Sequence, residues 1–117
     1  MRNHIIGSMA LVGALLVAVA NADPVDCRAL DKKIAAAKTA ADHTAIATCY
    51  DNNAKAAQAS AEEHTKMAIA YRQSGGDPVV KLGLPQYSDA FAKTLGAEAK
   101  TYTKMADAHR ELAKSAK

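Results

Sequence analysis

A seven-residue pattern runs through most of the chain. One heptad position in the first half carries mainly rings: His43, Tyr50, Ala57, His64 and Tyr71. Four residues after each of the first four lies an alanine: Ala47, Ala54, Ala61 and Ala68. Matching rows follow in the second half: Leu95, Tyr102 and His109, with Ala92, Ala99, Ala106 and Ala113. This spacing is typical of helices that pack side by side, so it predicts two long helices with matching narrow seams.

Capping and breaking residues divide the pattern into three helices. Thr39 and Asp42 have the spacing of a capping box, which predicts that a helix begins near Ala40. One unbroken helix over 25–73 is the alternative, because alanine-rich stretches propagate well. Gly75, as a left-handed cap, and Pro78 predict the end of that helix. The predicted helices span 25–38, 40–73 and 87–114, and an irregular loop spans 77–86.

The predicted fold is therefore all-α. Two long helices form an antiparallel hairpin, and the short N-terminal helix packs on it. So small a domain buries a modest fraction of its surface, and pairing of two hairpins would complete a four-helix bundle. A homodimer is one expectation; a monomer whose first helix covers the open face is the other. Candidates for the uncovered apolar surface are Ile46, Met67, Ile69, Val79, Val80 and Leu82.

Rings within the seam need polar partners, because a buried polar group without one costs about 1–3 kcal/mol. The structural seam comprises His43, Tyr50, His64, Tyr71, Tyr102 and His109. The predicted loop length places Tyr50 near His109 and predicts a hydrogen bond between them. It also predicts a contact between His64 and Glu98.

The N-terminal region has the features of a secretory signal peptide over 1–22. Arg2 supplies the positive charge, residues 5–20 are almost entirely apolar, and Ala20 and Ala22 fit a small-x-small cleavage site. A membrane anchor is the alternative, but the apolar run is short for a span of about 20 residues. We therefore expect a periplasmic or secreted domain over 23–117, without a membrane span after cleavage.

Charge argues against nucleic acid as a partner. The chain has 15 Lys and Arg residues against 12 Asp and Glu, and both signs are interspersed along the helices. A nucleic-acid interface would require a clustered basic face and usually aromatic platforms. Neither is visible in this sequence.

Cys27 and Cys49 suggest two different sites. If the chain reverses near Thr39, both cysteines lie equally far from the turn and come side by side. An even cysteine count in an exported chain then favours a disulfide, worth about 3 kcal/mol. The alternative is a metal-binding or metal-buffering protein in which Cys27, Cys49 and the histidines, His43 or His109, hold a soft metal such as Cu(I). His43 and His64 lie about 30 Å apart along one helix and cannot share an ion.

Motifs for catalysis are missing from the sequence. It contains no glycine-rich phosphate loop, no Gly-x-Ser-x-Gly turn and no closely spaced histidine pair with a carboxylate. We therefore predict no catalytic residue, no cofactor and no enzymatic activity. The expected function is binding or scaffolding in the cell envelope, with a protein partner that the sequence does not identify.

Two short motifs carry a resemblance to a known group of proteins. They are Asp42-His43-x-x-Ile46-Ala47-x-x-Tyr50 and His64-x-x-Met67-Ala68-x-x-Tyr71. The pattern resembles small exported Ala-rich helical-hairpin proteins of Gram-negative bacteria. The resemblance extends over most of the predicted mature chain. It implies an exported helical hairpin and brings no activity with it.

Overall fold

The computed structural model describes residues 24–116, so the predicted signal peptide over 1–22 lies outside the described residues. The described part contains four helices: α1 Leu30–Ala36, α2 Ala40–Ser74, α3 Asp77–Lys81 and α4 Leu84–Ser115. No strand occurs in this part, and the long helices α2 and α4 pack against each other, with α1 and α3 alongside. The predicted all-α hairpin is confirmed.

A complete capping box begins α2. The Thr39 hydroxyl accepts a hydrogen bond from the Asp42 backbone N–H at 3.1 Å. The Asp42 carboxylate accepts from the backbone N–H groups of Thr39 and Lys38 at 3.0 and 2.9 Å. These bonds lower the pKa of Asp42. Thr39 itself has an extended backbone, so the alternative of one unbroken helix is wrong.

The first helix is shorter than the predicted span of 25–38. It begins after Ala29, whose left-handed φ of 50° interrupts helical geometry. The Ala29 carbonyl accepts from the backbone N–H groups of Lys32 and Lys33, and so starts α1. The preceding segment is not helical and contains Cys27, which is bonded to Cys49 of α2. The sequence predicted a longer helix because its pattern does not show that the cross-link holds an irregular segment before α1.

The connection between the long helices also differs from the predicted irregular loop. It contains α3, and α4 begins at Leu84 rather than at 87. Gly75 has φ −85°, so it is not a left-handed cap. Its small size is required instead, because a Cβ there would lie 2.5 Å from the Cβ of Val79. The left-handed residue is Gly83, φ 72°, at the N-cap of α4, and Pro85 follows within the first turn, where its missing N–H costs little.

Alanine forms much of the contact between α2 and α4, as the heptad rows predict. Five members of the rows are buried: Ala47, Ala61, Ala68, Ala99 and Ala106. Such small side chains allow two helix backbones to approach closely. Ile46 was expected at the surface, but only 2% of it is exposed. It belongs to a cluster that α1 covers, since Leu30 packs against it.

Candidate functional site

Four aromatic and histidine rings form a continuous series of contacts near the disulfide. We call this group the ring stack: Tyr50 of α2 stacks on Tyr102 and His109 of α4, and His43 of α2 meets His109 edge to edge. The ring centroids are separated by 5.3 Å for His43–His109, 5.7 Å for Tyr50–His109 and 6.2 Å for Tyr50–Tyr102. Tyr50 is buried and the other three rings are half-buried. The heptad rows thus bring four of the six predicted seam residues into one cluster.

The polar contact of His109 is with His43 rather than with Tyr50. The Nδ1 atoms of the two histidines lie 3.1 Å apart. A neutral imidazole has one donor nitrogen and one acceptor nitrogen, so this hydrogen bond needs at least one ring with an unprotonated Nδ1. Tyr50 and His109 do meet, as predicted, but through their ring faces. The predicted hydrogen bond between them is replaced by ring stacking.

The pKa values of two stack members are shifted. Burial, and secondarily the charge of His43, lowers the pKa of His109. Hydrogen bonding to the Glu98 carboxylate, one turn earlier on the same helix, raises the pKa of Tyr102. The shifts favour an uncharged His109 and an uncharged Tyr102. No nucleophile activated by a neighbouring base results from these shifts.

His64 lies outside the ring stack, and its predicted contact with Glu98 is wrong. Its ring stacks on Phe91 with centroids 5.0 Å apart. The register of the hairpin is not the cause, because Tyr50 meets His109 as predicted. The His64 ring instead contacts a residue of α4 that lies seven positions nearer the loop than Glu98. The remaining seam residue, Tyr71, is half-buried near the end of α2.

Cys27 and Cys49 form the disulfide expected from their distances to Thr39. Their Cα atoms are 5.5 Å apart, and Cys49 is buried. Both sulfurs are used in this bond, so neither is a thiolate ligand for a soft metal. The alternative metal site therefore retains only His43 and His109, which are adjacent. In residues 24–116, no group of three or more His, Cys, Asp or Glu side chains is placed to hold a metal ion.

A second feature lies at the opposite end of the hairpin. Four large apolar side chains, which we call the loop-end surface, are more than half exposed: Val80 54%, Leu82 67%, Tyr87 65% and Phe91 58%. Tyr87 and Phe91, with Ala90 and Thr94, line an open hollow of about 270 Å³. Sequence reasoning anticipated Val80 and Leu82 here and missed the two aromatic residues. Their signal was spacing, because Tyr87 and Phe91 lie one turn apart just after Gly83 and Pro85.

The two flanks of the long-helix seam carry different chemistry. One flank has an ion pair toward each end, Arg110–Asp51 and Arg72–Asp89. The other flank carries four exposed apolar side chains: Met67, Phe91, Met105 and Leu112. The polar residues Asn53, Ser60 and Glu98 lie between the two near the loop and the two near the disulfide.

None of the family models, curated proteins or solved structures compared with this chain matches it. The candidate features are therefore defined by geometry alone. Within residues 24–116, no helix combines the length and apolar character that a membrane crossing needs.

Proposed function

We propose that this protein is a non-enzymatic, helical binding or scaffolding protein of the bacterial cell envelope, periplasmic or secreted. The disulfide supports export, because such bonds persist mainly in oxidising compartments. The secretory features of residues 1–22 and the resemblance to exported Ala-rich hairpin proteins support the same location. The observation that carries the binding role is the loop-end surface.

The composition of the loop-end surface is that of a protein contact. Contiguous exposed apolar side chains on a small soluble domain commonly mark interaction sites. Aromatic residues are enriched at the centres of protein interfaces, and Tyr87 and Phe91 are both more than half exposed. The surface is formed by side chains of α3, of the start of α4 and of the short link between them.

The rest of the hairpin supports this surface as a spacer. With 32 residues, α4 is about 50 Å long, and α2 with 35 residues is slightly longer. The disulfide lies at one end and the most exposed large apolar side chains lie at the other, so the hairpin displays its contact surface far from its covalent cross-link. A protein partner at the loop end is the proposed role, and a second copy of this chain is the alternative occupant.

Photo-crosslinking in cells that export the protein tests the proposal. A photoreactive amino acid replaces Leu82 or Tyr87 at the loop end, and replaces the exposed Gln58 as a matched control. We expect adducts heavier than the monomer from the two loop-end positions and little from Gln58. An adduct of twice the chain mass would identify a homodimer, and another mass a different protein. Equal adducts at all positions, or none, would contradict binding through the loop end.

Export needs its own test, because binding could occur in any compartment. Cell fractionation with N-terminal sequencing should recover the protein from the envelope or medium with a chain that begins at Asp23. Recovery of the uncleaved chain from the cytoplasm, with both cysteines reduced, would contradict the proposed location.

A further inference from the structure

The contact between His43 and His109 differs from the other polar contacts across the hairpin. Among the described residues, three side-chain hydrogen bonds join α2 to α4: His43–His109, Arg110–Asp51 and Arg72–Asp89. Ion pairs of arginine with aspartate ordinarily keep their charges above a pH of about 5. A histidine pair changes its protonation within the range from about 5 to 8. Only this contact is therefore expected to respond to mild acid.

The geometry shows what acid would do to it. The Nδ1 atoms are 3.1 Å apart and the ring centroids are 5.3 Å apart, so the two nitrogens point almost directly at each other. In the uncharged pair, the Nδ1–H of one ring donates to the bare Nδ1 of the other. A first added proton can go to the Nε2 of the donor ring, and the bond persists. A second added proton goes to the accepting Nδ1, so it removes the acceptor and places two cations at the same separation.

The neighbouring carboxylates are held by other hydrogen bonds, and among the described residues none forms an ion pair with either histidine. The charge of Asp42 acts on His43 only through space. Asp42, next to His43, accepts backbone hydrogen bonds from Lys38 and Thr39. Asp51 of α2 and Asp107 of α4 both accept from Arg110. Other charged groups at this end include Lys33 and Arg28, which pair with Asp26 in the segment before α1, and Lys114, which pairs with Glu111 on α4. Asp31, Lys32 and Lys38 lie in or just after α1. The uncharged ring of Tyr50 lies against His109.

We propose that the His43–His109 pair is an acid-sensitive latch that holds the C-terminal end of α4 against α2. The disulfide joins the N-terminal segment to α2, whereas α4 takes part in no disulfide. When both histidines are protonated, the last turns of α4 separate from α2, while the disulfide keeps the N-terminal segment in place. Separation exposes Tyr50 and Ala106, which are buried in the closed hairpin.

The direction of the pH dependence follows from the lowered pKa of His109. The folded pKa lies below the ordinary value of 6.5, so the closed form binds this proton less readily than the open form. The latch is therefore at full strength above pH 6.5 and weakens as the pH falls through the lowered pKa. In that interval the opening equilibrium increases by up to about tenfold per pH unit for each proton taken up.

Hydrogen exchange of the intact, oxidised protein tests the latch. Protection factors are compared between pH 7.5 and pH 5 for the C-terminal third of α4 (106–115) and for its N-terminal third (84–95). We expect protection of 106–115 to fall at least tenfold more than protection of 84–95. Equal losses in both segments, or no loss in 106–115, would overturn the proposal.

Substitutions separate the latch from general acid sensitivity. His43→Gln and His109→Gln keep a neutral polar side chain, and each should remove the selective loss of protection in 106–115. His64→Gln is the matched control, because His64 stacks on Phe91 away from the latch. This control should retain the selective loss. If it abolishes the loss as fully as His109→Gln does, the latch assignment is wrong. If the Gln variants fail to fold, NMR titration of the wild-type histidines decides: His109 must titrate in the same pH range in which 106–115 loses protection.

Discussion

The two ends of the hairpin are built in opposite ways. At the disulfide end, α1 and the ring stack surround Ile46, of which 2% is exposed. At the loop end, the largest apolar side chains face outward, and Leu82 is 67% exposed. The difference fits the proposed function. The covalent bond and the buried cluster of Ile46 lie at one end, and the surface proposed for recognition lies at the other.

Loss of the disulfide should lower the unfolding free energy more than any other change considered. Reduction, or Cys27→Ala, removes a link between residues 22 positions apart, which is worth about 3 kcal/mol of unfolding free energy. Urea unfolding followed by circular dichroism measures the loss. Reductant should have no effect on the Cys27→Ala variant. Identical unfolding midpoints for the oxidised and reduced wild type would show that the disulfide does not stabilise the fold.

Overpacking of the alanine contact should produce the next largest effect. Ala61→Leu adds volume where α2 and α4 meet, and should destabilise the protein by about 1–3 kcal/mol. Ala56→Leu, at an exposed position of the same helix, is the matched control and should have little effect. Thermal unfolding compares the two variants. Equal melting temperatures for both would mean that Ala61 does not lie in a tight contact.

Removal of the capping box should destabilise the protein by less than the overpacked alanine contact does. Thr39→Ala deprives the Asp42 N–H of its acceptor at the start of α2, for a loss of about 1 kcal/mol. The pKa of Asp42 is lowered by its bonds to the backbone, so its contribution is complete above the ordinary value of 3.8 and disappears as the pH falls through the lowered pKa. Unfolding free energies at pH 6 and pH 2.5 should therefore differ less for Thr39→Ala than for the wild type. A larger difference in the variant would contradict this role.

Substitution of two glycines by alanine should change the stability of the protein in opposite directions. A Cβ at Gly96 meets nothing within 4 Å, so Gly96→Ala should stabilise the interior of α4 by about 0.5–1 kcal/mol. A Cβ at Gly75 would overlap Val79 and the Tyr71 carbonyl, so Gly75→Ala should be destabilising. Melting temperatures distinguish the two. Destabilisation by Gly96→Ala would mean that another chain approaches α4 at this position.

The smallest effect on stability is expected at the loop end. Leu82→Ser removes an exposed side chain, and its unfolding free energy should stay within about 0.5 kcal/mol of the wild-type value. The same substitution should reduce crosslinking from position 87. A large loss of stability would mean that Leu82 is buried in solution, as it would be in a dimer through the loop end.

The sequence predicted the repeating parts of the structure better than the irregular ones. The rows of Ala61 and Ala99 specify a helix pair because one spacing is repeated over many turns. The Thr39 capping box is also local and was recognised from two residues. The beginning of α1 depends on Ala29, whose left-handed backbone no pattern of alanines indicates.

The candidate site was predicted in composition but not in detail. The heptad rows placed His43, Tyr50, Tyr102 and His109 in one seam, yet they did not identify the neighbour of each ring, because a ring can turn toward either of two residues seven positions apart on the facing helix. His109 contacts both His43 and Tyr50, and its polar contact is with His43. The ring of His64 turns toward Phe91 rather than toward Glu98.

Hydroxyl-radical footprinting of the dilute, oxidised protein tests the contrast between the two ends most directly. Tyr50 and Tyr87 are the same residue type at opposite ends of the hairpin, and they are 6% and 65% exposed. The oxidation rate of Tyr87, measured by mass spectrometry on separated peptides, should exceed that of Tyr50 several-fold. Equal rates, or faster oxidation of Tyr50, would contradict a closed disulfide end and an exposed loop end.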